Sequence, residues 1–479
     1  MPAKRLLKTQ AFIDGAWVGT PSLPVINPAN GEEIARVPDM GVAQARKAIE
    51  AAHKAFPGWS QKLAKERSQI MRRWYDLIMQ NADALAELLT REQGKPLAEA
   101  KSEIAYGASF IEFYAEEAKR VYGEIIPSFR ADARVLVLKQ PLGVVAAITP
   151  WNFPHAMITR KIAPALAAGC TVVCKPAGNT PLSALALAVL AEQAGFPKGV
   201  LNIITTGKSA PIGTELTTNP LVRGIAFTGS TDVGRTLMQQ AASTIKKVSL
   251  ELGGNAPFIV FDDADLDAAV AGVLASKFRN SGQTCVCANR IFVQAGIYES
   301  FTAKLTAAAK QLKTGDGMTP GTTQGPLINQ AALDKVKAHI ADAIQKGAKL
   351  ALGGKPHALG GTFFETTILT GVTANMLLMR EETFGPVAPL IKFTDEQEVI
   401  TLANDTPFGL AGYFYARDMA RIWRVAEALE CGMIGVNSGL ISSEVAPFGG
   451  IKQSGLGREG SRHGIEEYVE MKYVLVGGI

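Results

Sequence analysis

Apolar residues recur at three- and four-residue spacing through much of the first quarter of the chain. The stretch "VAQARKAIEAAHKAF" starts this pattern at Val42, and "AEAKSEIAYGASFIEFYAEEAKRVYG" carries it to Gly123. Such spacing gives a helix one apolar face that can pack on a core. The pattern therefore predicts a helical region from Val42 to about Gly123.

After Arg134 the pattern changes to short apolar runs that alternate with helical segments. Runs without polar alternation are typical of strands covered on both faces. The first series has helices at 182–194 and 231–242 between the strands "GVVAAITP", "CTVVCKP", "GVLNIIT" and "VRGIAFTG". The second has the strands "PFIVF", "RIFVQ", "VAPLIKF" and "GMIGVN", with helices at 265–278, 297–312, 330–346 and 418–429. This order predicts an α/β fold with two open parallel sheets, joined near "LELGGNAP" at 250–257.

Two strand-like segments fit neither predicted sheet. They are "IIPSFRADARVLVLKQ" at 125–140 and "EEYVEMKYVLV" at 466–476. Both are amphipathic or strand-like, so we predict that they pair as an arm that reaches another subunit.

Length and composition narrow the class of protein. A chain of 479 residues is too long for one ordinary core, so two or three domains are expected. The net charge of +5 is small, and no run of Lys and Arg is long enough to follow a nucleic-acid backbone. No stretch approaches the ~20 apolar residues that span a bilayer, and the start lacks the apolar segment of a secretion signal. We expect a cytoplasmic protein that binds neither nucleic acid nor membrane.

The five cysteines are too few for a disulfide framework in so long a chain. A Cys-x-Cys without a nearby histidine is a poor start for zinc, so no metal is expected. Cys170, Cys174 and Cys431 lie in or beside apolar strands and are interpreted as small core residues. Cys285 instead follows the polar turn Ser-Gly-Gln-Thr, where a lowered pKa would make it a nucleophilic thiolate. The pattern alone leaves a nucleophile and a packed thiol as alternatives.

Two further residues have the chemistry that a nucleophilic cysteine needs. Glu251 lies between a strand and a glycine pair, where we expect its carboxylate to be presented rather than buried. Asn152 follows the strand "VVAAI" between two prolines, and rigid flanks suit an amide that holds an oxyanion. The alternative for each is a turn residue that bonds its own backbone.

The first predicted sheet has features of a dinucleotide site, although it lacks the G-x-G-x-x-G motif. In "IAFTGSTDVGRTLMQQA" a strand turns into a helix that Ser230 would cap, and the helix start favours a phosphate. In "VVCKPAGNTP" a strand ends in Lys175, at the sheet edge where open α/β sheets bind ligands. Together these features indicate a dinucleotide cofactor.

Seven motifs stand in the order found in aldehyde dehydrogenases, so the chain resembles that family over nearly its whole length. They are "ITPWNFP", "KPAGNTP", "FTGS", "LELGGNAP", "GQTCVCANR", "EETFGPV" and "PFGGIKQSGLGREG". The resemblance implies two Rossmann-like domains with open parallel sheets and a small β arm for oligomerisation, in a homodimer or homotetramer. It assigns 1–122 and 141–250 to dinucleotide binding, 251–445 to catalysis, and 123–140 and 459–479 to the arm.

The resemblance also implies roles for single residues. Cys285 would attack the aldehyde, Asn152 and the Cys285 backbone N–H would hold the oxyanion, and Glu251 would activate the water that hydrolyses the thioester. The implied cofactor contacts are Thr149, Pro150, Trp151, Lys175, Ala177, Gly178, Gly207, Gly229, Ser230, Val233, Leu252, Glu382 and Phe384.

One departure from the family bears on the choice between NAD and NADP. Many members that prefer NAD carry a glutamate where this chain has Gly178. Without that carboxylate a 2′-phosphate meets no repulsion, and Lys175 remains to attract it. NADP is therefore expected to be accepted, and favoured over NAD.

Further motifs resemble those of succinate-semialdehyde dehydrogenases. Arg160, Arg279 and Ser442 match the residues that bind the carboxylate of such a substrate, a role that suits the guanidinium fork. The alternatives are a solvated or salt-bridged Arg160 and an Arg279 that serves only as a helix-end cation. Glutarate semialdehyde, another carboxylate-bearing or broad-range aldehyde, and a catalytically silent relative are the other functions considered.

Cys287, two residues after the expected nucleophile, has three interpretations. It is a packed residue, a bystander thiol, or the partner of Cys285 in a regulatory disulfide, which some related semialdehyde dehydrogenases contain. So short a disulfide loop would be strained and easily reduced.

Overall fold

The structure, a computed structural model, describes residues 6–479. Four helices follow one another in the region where the sequence predicts helical structure: α1 (Val42–Ser60), α2 (Ala64–Gln80), α3 (Ala82–Gln93) and α4 (Leu97–Glu117). The ten later helices are α5 (Ala156–Ala168), α6 (Leu182–Ala194), α7 (Ser209–Thr218), α8 (Thr231–Ala241), α9 (Leu266–Lys277), α10 (Tyr298–Ala309), α11 (Gln330–Gln345), α12 (Leu377–Arg380), α13 (Glu396–Asn404) and α14 (Met419–Ala428).

The first large sheet has eight strands. They are β1 (Ala11–Ile13), β2 (Ala16–Val18), β7 (Val144–Ile148), β8 (Thr171–Lys175), β9 (Leu201–Ile203), β10 (Val222–Thr228), β11 (Lys247–Glu251) and β21 (Gly455–Leu456). Their order in the sheet is β2-β1-β9-β8-β7-β10-β11-β21. The five central strands run parallel, and β1, β2 and β21 add antiparallel edges that the sequence pattern did not indicate.

The second large sheet has seven strands. They are β12 (Ala256–Val260), β13 (Ala288–Gln294), β14 (Lys349–Leu352), β15 (Thr367–Thr370), β16 (Val387–Phe393), β18 (Ala411–Tyr415) and β19 (Met433–Val436). Their order is β14-β15-β16-β13-β12-β18-β19, with only β14 antiparallel to its neighbour. The predicted α/β class with two parallel sheets is confirmed.

Both faces of the first sheet are buried, which explains its unbroken apolar runs. On β7, Val144, Ala146 and Ile148 face one core, together with residues of α1 and α7. Val145 and Ala147 face the other core, against α5 and α6. Because side chains alternate along a strand, every position of β7 has to be apolar.

The two segments that fit neither large sheet pair with each other, as predicted. A three-stranded sheet contains β5 (Glu124–Ile126), β6 (Ala133–Pro141) and β22 (Val469–Gly477). β6 and β22 are antiparallel over nine residue pairs, from Val469 opposite Pro141 to Gly477 opposite Ala133. Two small hairpin-like sheets are formed by β3 (Leu23–Ile26) with β4 (Glu33–Val37), and by β17 (Phe408–Gly409) with β20 (Ile451–Lys452).

From residue 6 to residue 479, no helix is both long enough and apolar enough to cross a lipid bilayer.

A buried carboxylate holds the start of α6, beside the loop after β8. The carboxylate of Glu92 accepts the backbone N–H groups of Leu182 and Ser183, at 2.8 and 2.7 Å. Burial raises the pKa of Glu92 to about 7, although these N–H groups lower it. Between pH 4.5, the ordinary pKa of this group, and about pH 7, Glu92 therefore binds a proton in the folded protein that it would not bind in the unfolded chain.

This shift predicts a pH-dependent contribution of Glu92 to stability. Below the pKa that Glu92 has in the unfolded chain, protonated Glu92 contributes its full share to the free energy of unfolding. This share, roughly 3 kcal/mol, is lost as pH rises through about 7. Glu92→Gln keeps the shape and one acceptor but cannot titrate. The variant should therefore gain in urea midpoint relative to the wild type between about pH 5 and about pH 8. If the difference in urea midpoint between the two proteins stays constant across that pH range, the raised pKa of Glu92 is wrong.

Candidate active site

The predicted site residues meet where the carboxyl edge of the first sheet faces the start of β13. In the register of that sheet Ile148 lies opposite Lys175 and Phe227, and Thr228 lies opposite Glu251. The strand ends that precede Asn152, follow Thr228 and contain Glu251 are therefore neighbours. Only Leu252–Asn255 then separate β11 from β12 of the second sheet, and Cys285 stands three residues before β13.

The turn before Cys285 is held in a strained conformation. Asn280, Ser281 and Gly282 all have positive φ angles, of 50°, 56° and 75°. Glu99 accepts the Asn280 N–H at 2.8 Å, and the Ser281 hydroxyl donates to the Gly325 carbonyl at 2.9 Å. Such strain persists only where the surroundings over-determine it, so these contacts fix the direction in which the chain enters the cysteine turn.

Asn152 is buried with its amide directed at this turn. Its Nδ2 donates to the Gln283 carbonyl at 3.0 Å, which leaves the second amide hydrogen for a ligand. Its backbone carbonyl accepts Lys95 Nζ at 2.8 Å and Asn280 Nδ2 at 3.1 Å. The amide is thus held in place before any substrate binds, as an oxyanion donor requires.

Lys95 and Glu103 support Asn152 and were missed by the sequence analysis. Lys95 Nζ lies 2.5 Å from Glu103 and 3.6 Å from the centre of the Phe153 ring. The other Glu103 oxygen accepts the His155 N–H at 2.9 Å. The sequence does contain a sign of this pair. Glu103 lies on the apolar face of the helical pattern that becomes α4, where a charged residue needs a partner.

Glu251 is buried, which corrects the expectation that its carboxylate is presented to solvent. Only 2% of the residue is exposed. Its Oε2 lies 3.4 Å from Arg160 Nη2, and Arg160 and Lys161 both form ion pairs with Glu459. Burial raises the pKa of Glu251, although Arg160 lowers it. The four groups form a buried cluster of two cations and two carboxylates, which we call the four-charge cluster.

The surroundings of Cys285 favour the protonated thiol, which corrects the expectation of a lowered pKa. Burial raises its pKa well above the usual value of 9.0, and the neighbouring Glu251 carboxylate raises it further. The turn is polar in sequence, but its backbone is enclosed by the two sheets. The thiol therefore needs a base to become a nucleophile, and the nearby Glu251 has that chemistry.

A cavity of about 360 Å³ lies in front of Cys285 and contains most of the predicted cofactor contacts. Of the predicted residues, its walls include Pro150, Trp151, Asn152, Gly229, Ser230, Leu252, Cys285, Glu382 and Phe384. The rings of Trp151 and Phe384 meet edge to face at 5.6 Å, and Phe384 has a positive φ of 55°. Burial raises the pKa of Glu382 to about 8. Lys335 also lines this cavity and was not predicted.

The remaining predicted cofactor residues lie along the same sheet edge. Ser230 caps α8 by accepting the Val233 N–H at 3.5 Å, which confirms the predicted cap and leaves a helix start suited to phosphate. Lys175 Nζ donates to Ser209 Oγ at 3.1 Å. Gly178, Gly207 and Ser209 line a second cavity, while Thr149 and Ala177 adjoin the residues named. A phosphate-binding helix start, a buried cation and an aromatic-walled cavity suit a dinucleotide.

A third cavity, of about 390 Å³, contains two of the three predicted substrate residues. Its walls include Arg279, Ser442, Phe153 and Tyr106, together with Glu99 and Glu103 of α4. The Arg279 guanidinium lies 4.8 Å from the centre of the Phe153 ring and pairs with no carboxylate in residues 6–479. Arg160 is instead buried within the four-charge cluster, so it matches the salt-bridged alternative considered for it. Phe153, which lines this cavity, directly follows Asn152 in the chain.

Residues 17–474 match the aldehyde dehydrogenase family. The chain belongs to the aldehyde dehydrogenase family. Members of this family are enzymes that oxidise small aldehydes with NAD or NADP, so the predicted enzyme class and the nicotinamide cofactor are confirmed at that level.

Similar proteins cover the whole chain. Glutarate-semialdehyde dehydrogenase of Pseudomonas aeruginosa is 63% identical over 478 residues, which is 99% of both chains. Succinate-semialdehyde dehydrogenase [NADP(+)] of Escherichia coli is 61% identical over 475 residues, 98% of both chains. The crystal structure of succinate-semialdehyde dehydrogenase from Burkholderia pseudomallei superposes with a TM-score of 0.98 at 61% identity, and covers 99% of this chain and 98% of that one.

Cys287 is a buried, packed thiol in this structure. Its sulfur lies 3.4 Å from Lys277 Nζ and 3.4 Å from the Gly282 carbonyl oxygen, and all five cysteines are free. These contacts anchor the end of the cysteine turn to α9. The regulatory disulfide with Cys285 stays a prediction. In the described part of the chain, no three His, Cys, Asp or Glu side chains are grouped as a metal ion would require.

The protonated thiol predicts slow alkylation of Cys285 at neutral pH, because the thiolate is the reactive form. In the cofactor-free protein the iodoacetamide rate at Cys285 should rise only as pH increases beyond 9.0. Glu251→Gln removes the adjacent negative charge, so the alkylation of Cys285 in this variant should begin at a lower pH than in the wild type. Burial should still keep the pKa of Cys285 above that of a free cysteine. Peptide mass spectrometry follows the label, with Cys285→Ala as the control. A wild-type profile with fast labelling near neutral pH would contradict the protonated thiol.

Proposed function

We propose that this enzyme oxidises succinate semialdehyde to succinate, with Cys285 as nucleophile. The observation that carries the proposal is the third cavity, where the unpaired guanidinium of Arg279 and the hydroxyl of Ser442 stand beside Phe153. A carboxylate at the far end of the substrate would supply the missing anion. The similarity to a succinate-semialdehyde dehydrogenase over 98% of the chain supports the same substrate class.

The residues of the site suit the chemistry of the family in the following way. Glu251 takes the thiol proton of Cys285, and the sulfur adds to the aldehyde carbon. The negative charge that develops on the carbonyl oxygen is held by Asn152 Nδ2 and the Cys285 backbone N–H. When bound, the nicotinamide ring supplies the hydride acceptor.

The second half of the reaction releases the acid from Cys285. Glu251 removes a proton from water, the water oxygen bonds to the thioester carbon, and the carbon–sulfur bond breaks to return the Cys285 thiolate. The raised pKa of Glu251 makes it a stronger base than an exposed carboxylate. Arg160 and Lys161 keep it from staying protonated, because each lowers that pKa.

Arg279 and Ser442 hold the distal carboxylate in this proposal, whereas Arg160 does not contact it. Arg160 belongs to the four-charge cluster, where Glu459 already compensates its charge. Its closer partner is Glu459, and Glu251 lies 3.4 Å away, so Arg279 is left as the unpaired cation of the third cavity.

A second candidate substrate is glutarate semialdehyde. It is favoured by the 63% identity to a glutarate-semialdehyde dehydrogenase over 99% of the chain. The two substrates differ by one methylene, which a pocket distinguishes by only ~1–3 kcal/mol. A comparison of kcat/KM for the two semialdehydes decides between them.

Truncation of Arg279 tests the proposed substrate class. Arg279→Ala should lower kcat/KM for succinate semialdehyde about ten- to hundredfold, because a hydrogen bond to a charged group is lost. The kcat/KM for butyraldehyde, which has no distal carboxylate, should fall far less. Arg160→Ala is the comparison variant, and it should damage both aldehydes because Glu251 loses its counter-ion. Equal losses on both aldehydes for Arg279→Ala would contradict the carboxylate site.

We propose that the predicted contacts from Thr149 to Phe384 bind the cofactor and that NADP is favoured over NAD. Gly178 leaves the cavity that it lines with Ser209 without a carboxylate in its walls, and Lys175 supplies positive charge nearby, whereas Lys208 pairs with Asp39 at 3.8 Å. An unopposed cation suits the 2′-phosphate of NADP. The relative from Escherichia coli carries NADP(+) in its name.

A carboxylate introduced at position 178 should reverse this preference. Gly178→Glu should weaken the binding of NADP much more than the binding of NAD, as measured by the Kd of each cofactor. A Cβ at this position lies 3.1 Å from the Thr206 carbonyl oxygen, so Gly178→Ala serves as the control for crowding alone. Gly178→Ala should weaken both cofactors to a similar extent. A wild-type enzyme that binds NAD much more tightly than NADP would overturn the proposal.

We also propose that the arm of 123–140 and 459–479 joins subunits of a homo-oligomer and that the enzyme works in the cytoplasm. The three-stranded sheet exposes Ile125, Met471 and Tyr473, with 79%, 73% and 58% of each residue exposed. Exposed apolar residues on the two outer strands of one small sheet are typical of a contact surface. Five free thiols suit a reducing compartment.

A further inference from the structure

The third cavity contains a polar group that the proposed function does not use. The residue Tyr106 lines this cavity together with Arg279 and Ser442, and its hydroxyl is the group without a role. It is shielded from solvent and has no hydrogen-bond partner among residues 6–479. Because an unpaired hydroxyl in the interior is costly, its presence there needs an explanation.

The ring of Tyr106 is fixed by its neighbours, so the direction of the hydroxyl is set. It packs edge to face on Phe110, with ring centres 5.0 Å apart and planes at 78°. Its other side packs on the apolar group of Phe153, Ala156 and Met157. A phenol held in this way presents its hydroxyl at little further cost in conformational freedom.

Both guanidinium groups and carboxylates surround the hydroxyl. Burial raises the pKa of Tyr106 and the Glu459 carboxylate raises it further, whereas the nearby Arg160 and Arg279 lower it. Arg160 lies beside the hydroxyl without the geometry of a hydrogen bond. Glu459 is already paired with Arg160 and Lys161, whereas Arg279 has no ion-pair partner in residues 6–479, so a free donor near these cations suits an anionic oxygen.

We infer that Tyr106 is a specificity-determining residue that donates a hydrogen bond to the distal carboxylate of the substrate. This inference rests on the proposed function. A carboxylate has about four acceptor positions on its two oxygens. Arg279 can occupy two of them through its fork, and Ser442 and Tyr106 each one, which satisfies the whole group.

The test is Tyr106→Phe, which removes one oxygen and keeps the packing on Phe110. The KM for succinate semialdehyde should rise about tenfold or more, because a hydrogen bond to a charged group is lost, with little change in kcat. The KM for butyraldehyde should stay the same. The inhibition constant of succinate should rise in parallel, while that of butyramide, which carries no charge, should not. Tyr75→Phe on α2, which removes a phenol oxygen away from the cavity, should change none of these values.

The outcomes separate this inference from the proposed function. A wild-type enzyme that does not favour succinate semialdehyde over butyraldehyde would overturn the proposed function itself. If the wild type has that preference and Tyr106→Phe keeps it in full, the inference about Tyr106 is wrong. Equal losses on both aldehydes would show that the residue is only structural. Tyr106→Met lacks the hydroxyl but fills the space differently, and it must show the same selective loss.

Discussion

The four-charge cluster is the constraint on which the catalytic site depends. Arg160, Lys161, Glu251 and Glu459 are each no more than 4% exposed, so each would pay a large desolvation cost alone. Their charges cancel in pairs, and the removal of one partner leaves a buried charge uncompensated, at a cost of about 3–5 kcal/mol. The cluster joins α5, the end of β11 and the C-terminal segment that backbone bonds tie to Phe448. Three distant parts of the chain therefore have to be in place before Glu251 is positioned.

The same cluster sets the chemistry of the thiol. Glu251 raises the pKa of Cys285, and the nearby Cys285 side chain in turn lowers the pKa of that carboxylate. The two groups thus compete for one proton in an environment that disfavours both charges. A resting thiol is less exposed to alkylation and oxidation than a standing thiolate. In the proposed function, activation depends on Glu251 accepting the proton, and Arg160 and Lys161 favour its ionised form because each lowers its pKa.

The sequence was sufficient for the parts of this structure that depend on local pattern or on motifs. The apolar runs predicted the central strands of both sheets, and Ser230 was correctly predicted as a helix cap from its place after a strand. The burial of Glu251 could not be predicted, because the groups that cover it come from α5 and from Glu459, more than 200 residues further along the chain. The raised pKa of Cys285 has the same origin, since a turn that is polar in sequence is enclosed by elements distant in sequence. The antiparallel edges β1, β2 and β21 are only two or three residues long, too short for a periodic signal.

One face of α4 connects the oxyanion donor, the cysteine turn and the third cavity. Glu99, Glu103 and Tyr106 are spaced by four and three residues, which places them on one side of a helix. Glu99 holds the Asn280 N–H of the strained turn, Glu103 holds Lys95 behind Asn152, and Tyr106 lines the cavity of Arg279. The apolar contacts that fix α4 against α5 therefore fix all three at once. A rotation or shift of this helix would move the cysteine turn, Asn152 and the third cavity together. In the proposed function, the spacing between the reacting carbon and the distal carboxylate is therefore set by packing rather than by any single side chain.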